Sequence, residues 1–175
     1  MKITAIRGIM LRCTCSPISD ALSTSTARQA LLVKIETDAG LYGIGEAFTY
    51  GAPLKIMKYL VEEQLGPMLI GQDPAEIEKH WNTMYWRTIA HGRRSMTMGA
   101  ISGIDIALWD LLGKAAHMPV CKLLGQHLDR VPSYASGGFY APGKDLHKLE
   151  EELEHYKAQG YRDMKIKIGR TLERS

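Results

Sequence analysis

The sequence predicts an α+β domain that gives way, near its C-terminus, to a parallel βαβ unit. Three observations predict it. Strand-like runs joined by a hairpin signal open the chain, the apolar period then changes to helical through about residue 116, and from Val131 a strand, a helix and a strand follow in turn. The change of domain is placed between Gly125 and Val131, which gives 1–127 and 128–175.

Residues 2–12 (KITAIRGIMLR) and 28–37 (RQALLVKIET) are rich in Ile, Val and Leu with partial alternation, and so read as strands. The second continues through Asp38, Ala39 and Gly40 into LYGIGEAF, a hairpin signal with glycine where a positive φ is needed. A three-stranded antiparallel meander is expected. Between the first two strands, CSPISDALSTSTA is polar and rich in Ser and Thr, and reads as a loop.

After Pro53 the spacing of Leu54, Met57, Tyr59, Leu60 and Val61 predicts a helix ending near Gly66 and Pro67. Asp73-Pro74-Ala75-Glu76 then offers an N-cap residue, a proline at the first helical position and an acid at the third, as in a capping box. Ile77, Trp81, Met84 and Tyr85 follow as a core stripe. A long helix is expected over 95–116, with Ile101, Ile104, Leu108, Leu111 and Ala115 on one side. Gly99, Gly103 and Ala107, four apart, admit another backbone at close range on that flank. Asp105 falls inside the apolar stripe and is expected to have a hydrogen-bonding or cationic partner.

Residues 131–136 (VPSYAS) read as a short strand, SGGFYAPGK as a glycine-rich loop, and 145–158 as a helix with Leu146, Leu149, Leu153 and Tyr156 inward. Gly160 ends that helix, and 161–169 (YRDMKIKIG) form the second strand, parallel to the first because a helix crosses between them. With a side-chain period of two, Lys165 and Lys167 share one face, while Met164, Ile166 and Ile168 share the other.

Composition narrows the function. A hydrophobic content of 45% supports a packed core, and the net charge of +3 comes from interspersed residues of both signs with no basic stripe, so nucleic acid is not an expected partner. No signal peptide and no membrane span are expected. Three cysteines, Cys13, Cys15 and Cys121, are an odd number, which fits a reducing, cytoplasmic setting. The histidines form no HExxH or zinc-type spacing, so no metal-ligating residue is assigned.

The paired lysines admit two readings. On the polar face of a strand they ordinarily face water and blunt an edge. At the C-terminal ends of barrel strands they instead enter a partly dry cavity, where repulsion and desolvation favour a neutral amine able to take a proton. Gly43-Ile44-Gly45-Glu46 lacks the third glycine of a dinucleotide fingerprint and its βαβ setting, and is set aside.

The segment 100–125, AISGIDIALWDLLGKAAHMPVCKLLG, resembles the signature of the mandelate racemase and muconate lactonizing enzyme group of the enolase superfamily. Ala100, Gly103, Asp105, Ala107, Asp110, Gly113, Lys114, Pro119 and Gly125 are among the residues in place. A G-x-G-E segment (Gly43–Glu46) and a K-x-K (Lys165–Lys167) stand in the same order as in that group. The resemblance implies an α+β capping domain followed by the start of a (β/α) TIM-type barrel, truncated after its second strand.

Members of the group remove the proton α to a carboxylate and hold the product anion on a divalent metal, normally Mg2+. The resemblance makes Lys167 the base and Lys165 its helper, which holds the substrate carboxylate. Loops near 16–26 and 47–53 would shape substrate choice, with Ser19, Asp20, Thr49 and Tyr50 as candidate contacts. A barrel of this type takes about 250 residues, whereas 131–175 supply two strands and one helix; the metal ligands and the second acid/base group belong to later strands. The implied activity is that of a sugar-acid dehydratase or a racemase/epimerase, with this chain inactive alone. The substrate would be a small carboxylate, and a homo-oligomer is a family habit. A cycloisomerase or dipeptide epimerase is the alternative within the group, and a non-catalytic binding or structural module on the capping fold is the alternative outside it.

Overall fold

The structure, a computed structural model, describes residues 1–49 and 51–169. The chain divides into two compact units: Met1–Arg12 with Gln29–His127, and Cys13–Arg28 with Leu128–Ser175. Residues 13–28, assigned by the sequence reading to the first domain, therefore group with the second.

Strands β1 (Ile3–Ser19), β2 (Thr24–Thr37) and β3 (Tyr42–Ala47) form one sheet in that order. β2 and β3 pair antiparallel, Val33 opposite Gly45 and Lys34 opposite Ile44, and Gly40 turns between them at φ 75°. The polar run read as a loop is strand on both sides of a tight turn at Asp20–Ser23. Polarity there reports solvent on both faces of the strands, and Thr is at home in extended backbone. The turn is built by Asp20, whose Oδ1 accepts from the amides of Leu22 and Ser23, each at 2.9 Å.

Helix α1 (Leu54–Tyr59) runs on through a π-helical turn (Leu60–Leu65) and a 3-10 turn (Gly66–Met68). Met57, Val61, Leu65 and Leu69, four apart, are all fully buried. Helix α2 (Ile77–Arg87) starts later than the capping pattern predicts. Asp73 Oδ1 accepts from Ala75 N at 3.0 Å, while the Asp73 carbonyl accepts from Glu76 N at 3.2 Å and from Nε2 of buried His80 at 2.7 Å. These bonds close a separate turn, and the helix begins only beyond it. Ile77 and Met84 join the core, and Trp81 packs against it while stacking on Tyr85 at 4.8 Å.

Helix α3 (Met96–Ala115) is the axis of the first unit, and the single turn α4 (Val120–Leu123) follows it. Ile101, Ile104, Leu108 and Leu111 are fully buried, whereas Ala115 is exposed. By length and apolarity α3 alone among the described helices matches a membrane span, contrary to expectation, yet its apolar face is the centre of this core. β3 lies along its small-residue flank. A Cβ on Gly103 would stand 2.9 Å from Ala47 Cα, and one on Gly45 would stand 2.7 Å from Ala107 N, so neither position has room for a side chain.

The same junction is fixed by charge. Asp110 Oδ2 accepts from Ile44 N at 2.7 Å and from Lys114 Nζ at 2.6 Å, and Lys114 also donates to the Tyr42 carbonyl at 3.0 Å. Asp105 differs from expectation: it is half-buried, and no hydrogen bond or ion pair reaches its carboxylate among the described residues. Its desolvation raises the carboxyl pKa.

In the second unit β4 (Ala135–Ser136) and β5 (Met164–Lys165) pair in parallel, Ala135 with Met164 and Ser136 with Lys165, and helix α5 (Leu146–Ala158) connects them. Asp145 caps α5 by accepting from Lys148 N at 3.0 Å, and Gly160 at φ 93° follows its end. The ladder is shorter than the nine-residue strand expected over 161–169. Leu146 is 83% exposed and α5 has no fully buried residue, because a sheet two strands wide gives a helix little to cover.

Candidate active site

The face on which the lysines stand follows from the strand pair. A Cβ on Gly137, the residue after β4, would meet Tyr156 Oη at 2.6 Å, so that position faces α5. By alternation Ser136 faces away from the helix, and its partner Lys165 shares that side. Lys165 is exposed, and its carbonyl accepts from Gly137 N at 2.9 Å. Lys167, two residues on, is half-buried, with Nζ 5.0 Å from the centroid of the Phe139 ring. The guanidinium of Arg28 lies over that ring too, at 5.9 Å.

Phe139 is held by the loop that follows β4, and α5 grips that loop. Glu152 accepts from Gly138 N at 3.1 Å, from the Tyr156 hydroxyl at 2.8 Å and from Lys144. Lys144 in turn donates to the Phe139 carbonyl at 2.9 Å. Burial alone would push the Glu152 pKa up. The bonds from Lys144, Gly138 and Tyr156, with the charge of Lys144, outweigh it and hold the carboxyl below its ordinary value. The same bond to Glu152 raises the Tyr156 pKa.

The predicted substrate contacts divide between the units. Ser19 is buried: its Oγ is 2.7 Å from Thr24 Oγ1, and its main chain exchanges two hydrogen bonds of 2.8 Å with Tyr140. Asp20 makes the turn beside it. Both share the second unit with Lys165 and Lys167. Thr49 belongs to the first unit, where its carbonyl accepts from Ala52 N at 2.9 Å, and Tyr50 lies outside the described residues.

Arg28, Phe139 and Glu152 escaped the sequence reading. Only Glu152 has a local signal, its i,i+4 spacing to Tyr156, a tyrosine that the helical period reads as inward packing. An open groove at the end of α3, lined by Gly113, Lys114, His117 and Met118 among others, holds none of the predicted site residues. Among the described residues no three His, Cys, Asp or Glu side chains come together as a metal site, so those residues do not fit a Mg2+ ion.

An α+β capping domain leading into the first strands of a (β/α) barrel defines the N-terminal portion of an enolase-superfamily enzyme. The chain belongs to the mandelate racemase/muconate lactonizing enzyme family, whose N-terminal domain matches residues 4–125. It is 40% identical over 141 residues to arabinonate dehydratase of Saccharolobus solfataricus, a match spanning 81% of this chain and 38% of that protein. The structure of an enolase-superfamily member from a Polaromonas species superposes with a TM-score of 0.87 at 36% identity, covering 97% of this chain and 45% of the other. L-talarate/galactarate dehydratase from Salmonella typhimurium, liganded with Mg and L-lyxarohydroxamate, superposes at 0.86 with 28% identity, covering 98% and 45%. The chain thus spans less than half the length of these relatives, and full-length members of the family are enzymes.

Proposed function

We propose that the whole protein is a sugar-acid dehydratase that begins by removing the proton α to the substrate carboxylate. The observation that carries this reading is that Lys165 stands on the strand face turned away from α5, the side on which a (β/α) barrel gathers its active site, with Lys167 two residues on. The dehydratases among its relatives support the substrate class.

Lys167, as the free amine, takes the α-proton, and the C–H electron pair passes into the carboxylate to give an enediolate. Lys165 sets its positive charge against the carboxylate oxygens, where negative charge accumulates. Loss of the β-hydroxyl as water completes the dehydration once an acid, which the family implies on a later strand, supplies a proton. Ser19, Asp20, Thr49 and Tyr50 are the proposed substrate contacts. The family implies Mg2+, but with no fitting ligand set among the described residues no step is derived through it. On this reading the 175 residues alone turn over no sugar acid.

The test is deuterium exchange at the substrate α-carbon in the whole protein. Lys167→Ala abolishes exchange while leaving the fold intact; exchange at the unaltered rate would remove Lys167 from its role. Turnover by the 175-residue chain alone would overturn the division of labour between early and late strands.

A further inference from the structure

Among the described residues, two aromatic rings each hold a pair of cations. Tyr42 has Lys34 Nζ at 4.7 Å and Lys114 Nζ at 4.5 Å from its centroid, and each of those lysines is also paired with a carboxylate, Glu36 or Asp110. That ring finishes a neutralised surface network. Phe139 has Lys167 Nζ at 5.0 Å and Arg28 Cζ at 5.9 Å, and neither cation has a carboxylate partner among the described residues. Lys165, two residues before Lys167, has no ion-pair partner among them either. A cation without a counter-charge gains little from an exposed position, whereas the face of a ring attracts it and fixes where it sits.

The ring itself is fixed from three directions. Its carbonyl accepts from Lys144, its neighbour Gly138 donates to Glu152, and its other neighbour Tyr140 is tied to Ser19 by two main-chain hydrogen bonds. Only the second unit is involved, since Arg28 and Ser19 belong to it together with 128 onward.

We infer that Phe139 is a positioning residue for Lys167: its ring fixes where the Nζ end of the side chain sits, and Arg28 braces the ring from the β1–β2 hairpin. The inference rests on the assignment of Lys167 as base for its catalytic meaning, but the contact stands or falls without it. Placement of the reacting nitrogen is where such a contact acts, because small displacements of a catalytic group cost large factors in rate.

The contact is tested in the whole protein by NMR of the Lys167 ε-methylene, whose protons resonate upfield under a ring face. Phe139→Leu returns them to the position of an ordinary lysine, and Phe139→Tyr keeps them upfield; no change in Phe139→Leu overturns the contact. The role is tested in the whole protein by α-proton exchange. Phe139→Leu lowers kcat by about fivefold or more with KM within about twofold, and Phe139→Tyr restores it. An unchanged kcat, or a rise in KM alone, overturns the positioning role. If Lys167→Ala leaves exchange intact while the unsubstituted protein shows the upfield methylene, the base assignment has failed and the contact has not.

Discussion

The carboxylate of Asp110 holds the amide of Ile44 at 2.7 Å, from a helix 66 residues further along the chain. The same oxygen takes the Lys114 ammonium at 2.6 Å, so one atom ties the start of β3 to the end of α3. Asp110→Ala strips the amide and the ammonium of their acceptor together and should cost about 1–3 kcal/mol. Urea unfolding followed by tryptophan fluorescence reads this directly, because Trp81, Trp86 and Trp109 all lie in the first unit. An unshifted midpoint would show that the bond contributes nothing net.

Gly45 faces the backbone of α3, and a Cβ there would stand 2.7 Å from Ala107 N. In an uncrowded strand, replacing glycine by alanine stabilises by about 0.5–1 kcal/mol. Here Gly45→Ala should destabilise by about 1–3 kcal/mol, the range for forcing atoms into a filled contact. The sign of the change in urea midpoint decides the matter.

Asp105 and Glu152 should respond to acid in opposite ways. Burial raises the Asp105 pKa above its ordinary 3.8, so its ionised form penalises the fold at neutral pH and the penalty disappears as pH falls through the raised value. Asp105→Asn, a change nearly neutral in helix propensity, should therefore raise stability at pH 7 by about 0.5 kcal/mol and make no difference in acid. A loss of stability at pH 7 would mean that the carboxylate has a partner.

Glu152 has a lowered pKa, so its contribution is present above the ordinary value of 4.5 and is lost as pH falls through the folded one. Hydrogen exchange at the Gly138 amide reports it. Protection should fall in acid for the native chain, and Glu152→Gln should be poorly protected at every pH. Equal protection of the two at pH 7 would sink the account of how the Phe139 loop is held.

Much of this was legible where a local period controls the outcome. The four-residue spacing of Gly99, Gly103 and Ala107 announced the close strand contact. The reading of 15–27 as a loop fails because polar composition reports solvent and says little about backbone conformation. Asp73 was misplaced because a buried histidine seven residues on competes for its carbonyl, a contact that no short-range rule contains. The ring of Phe139 joins residues 28 and 167, and a pairing of that separation leaves no trace in either neighbourhood.

The passage of the β1–β2 hairpin tip into the second unit has a practical consequence for anyone dividing this protein. A cut after residue 127 does not free an intact C-terminal piece, since Ser19 and Arg28 would leave with the other half and the amide and carbonyl of Tyr140 would lose the bonds that Ser19 provides. Any split, swap or chimera made at that joint transplants an incomplete structure unless the tip travels with it.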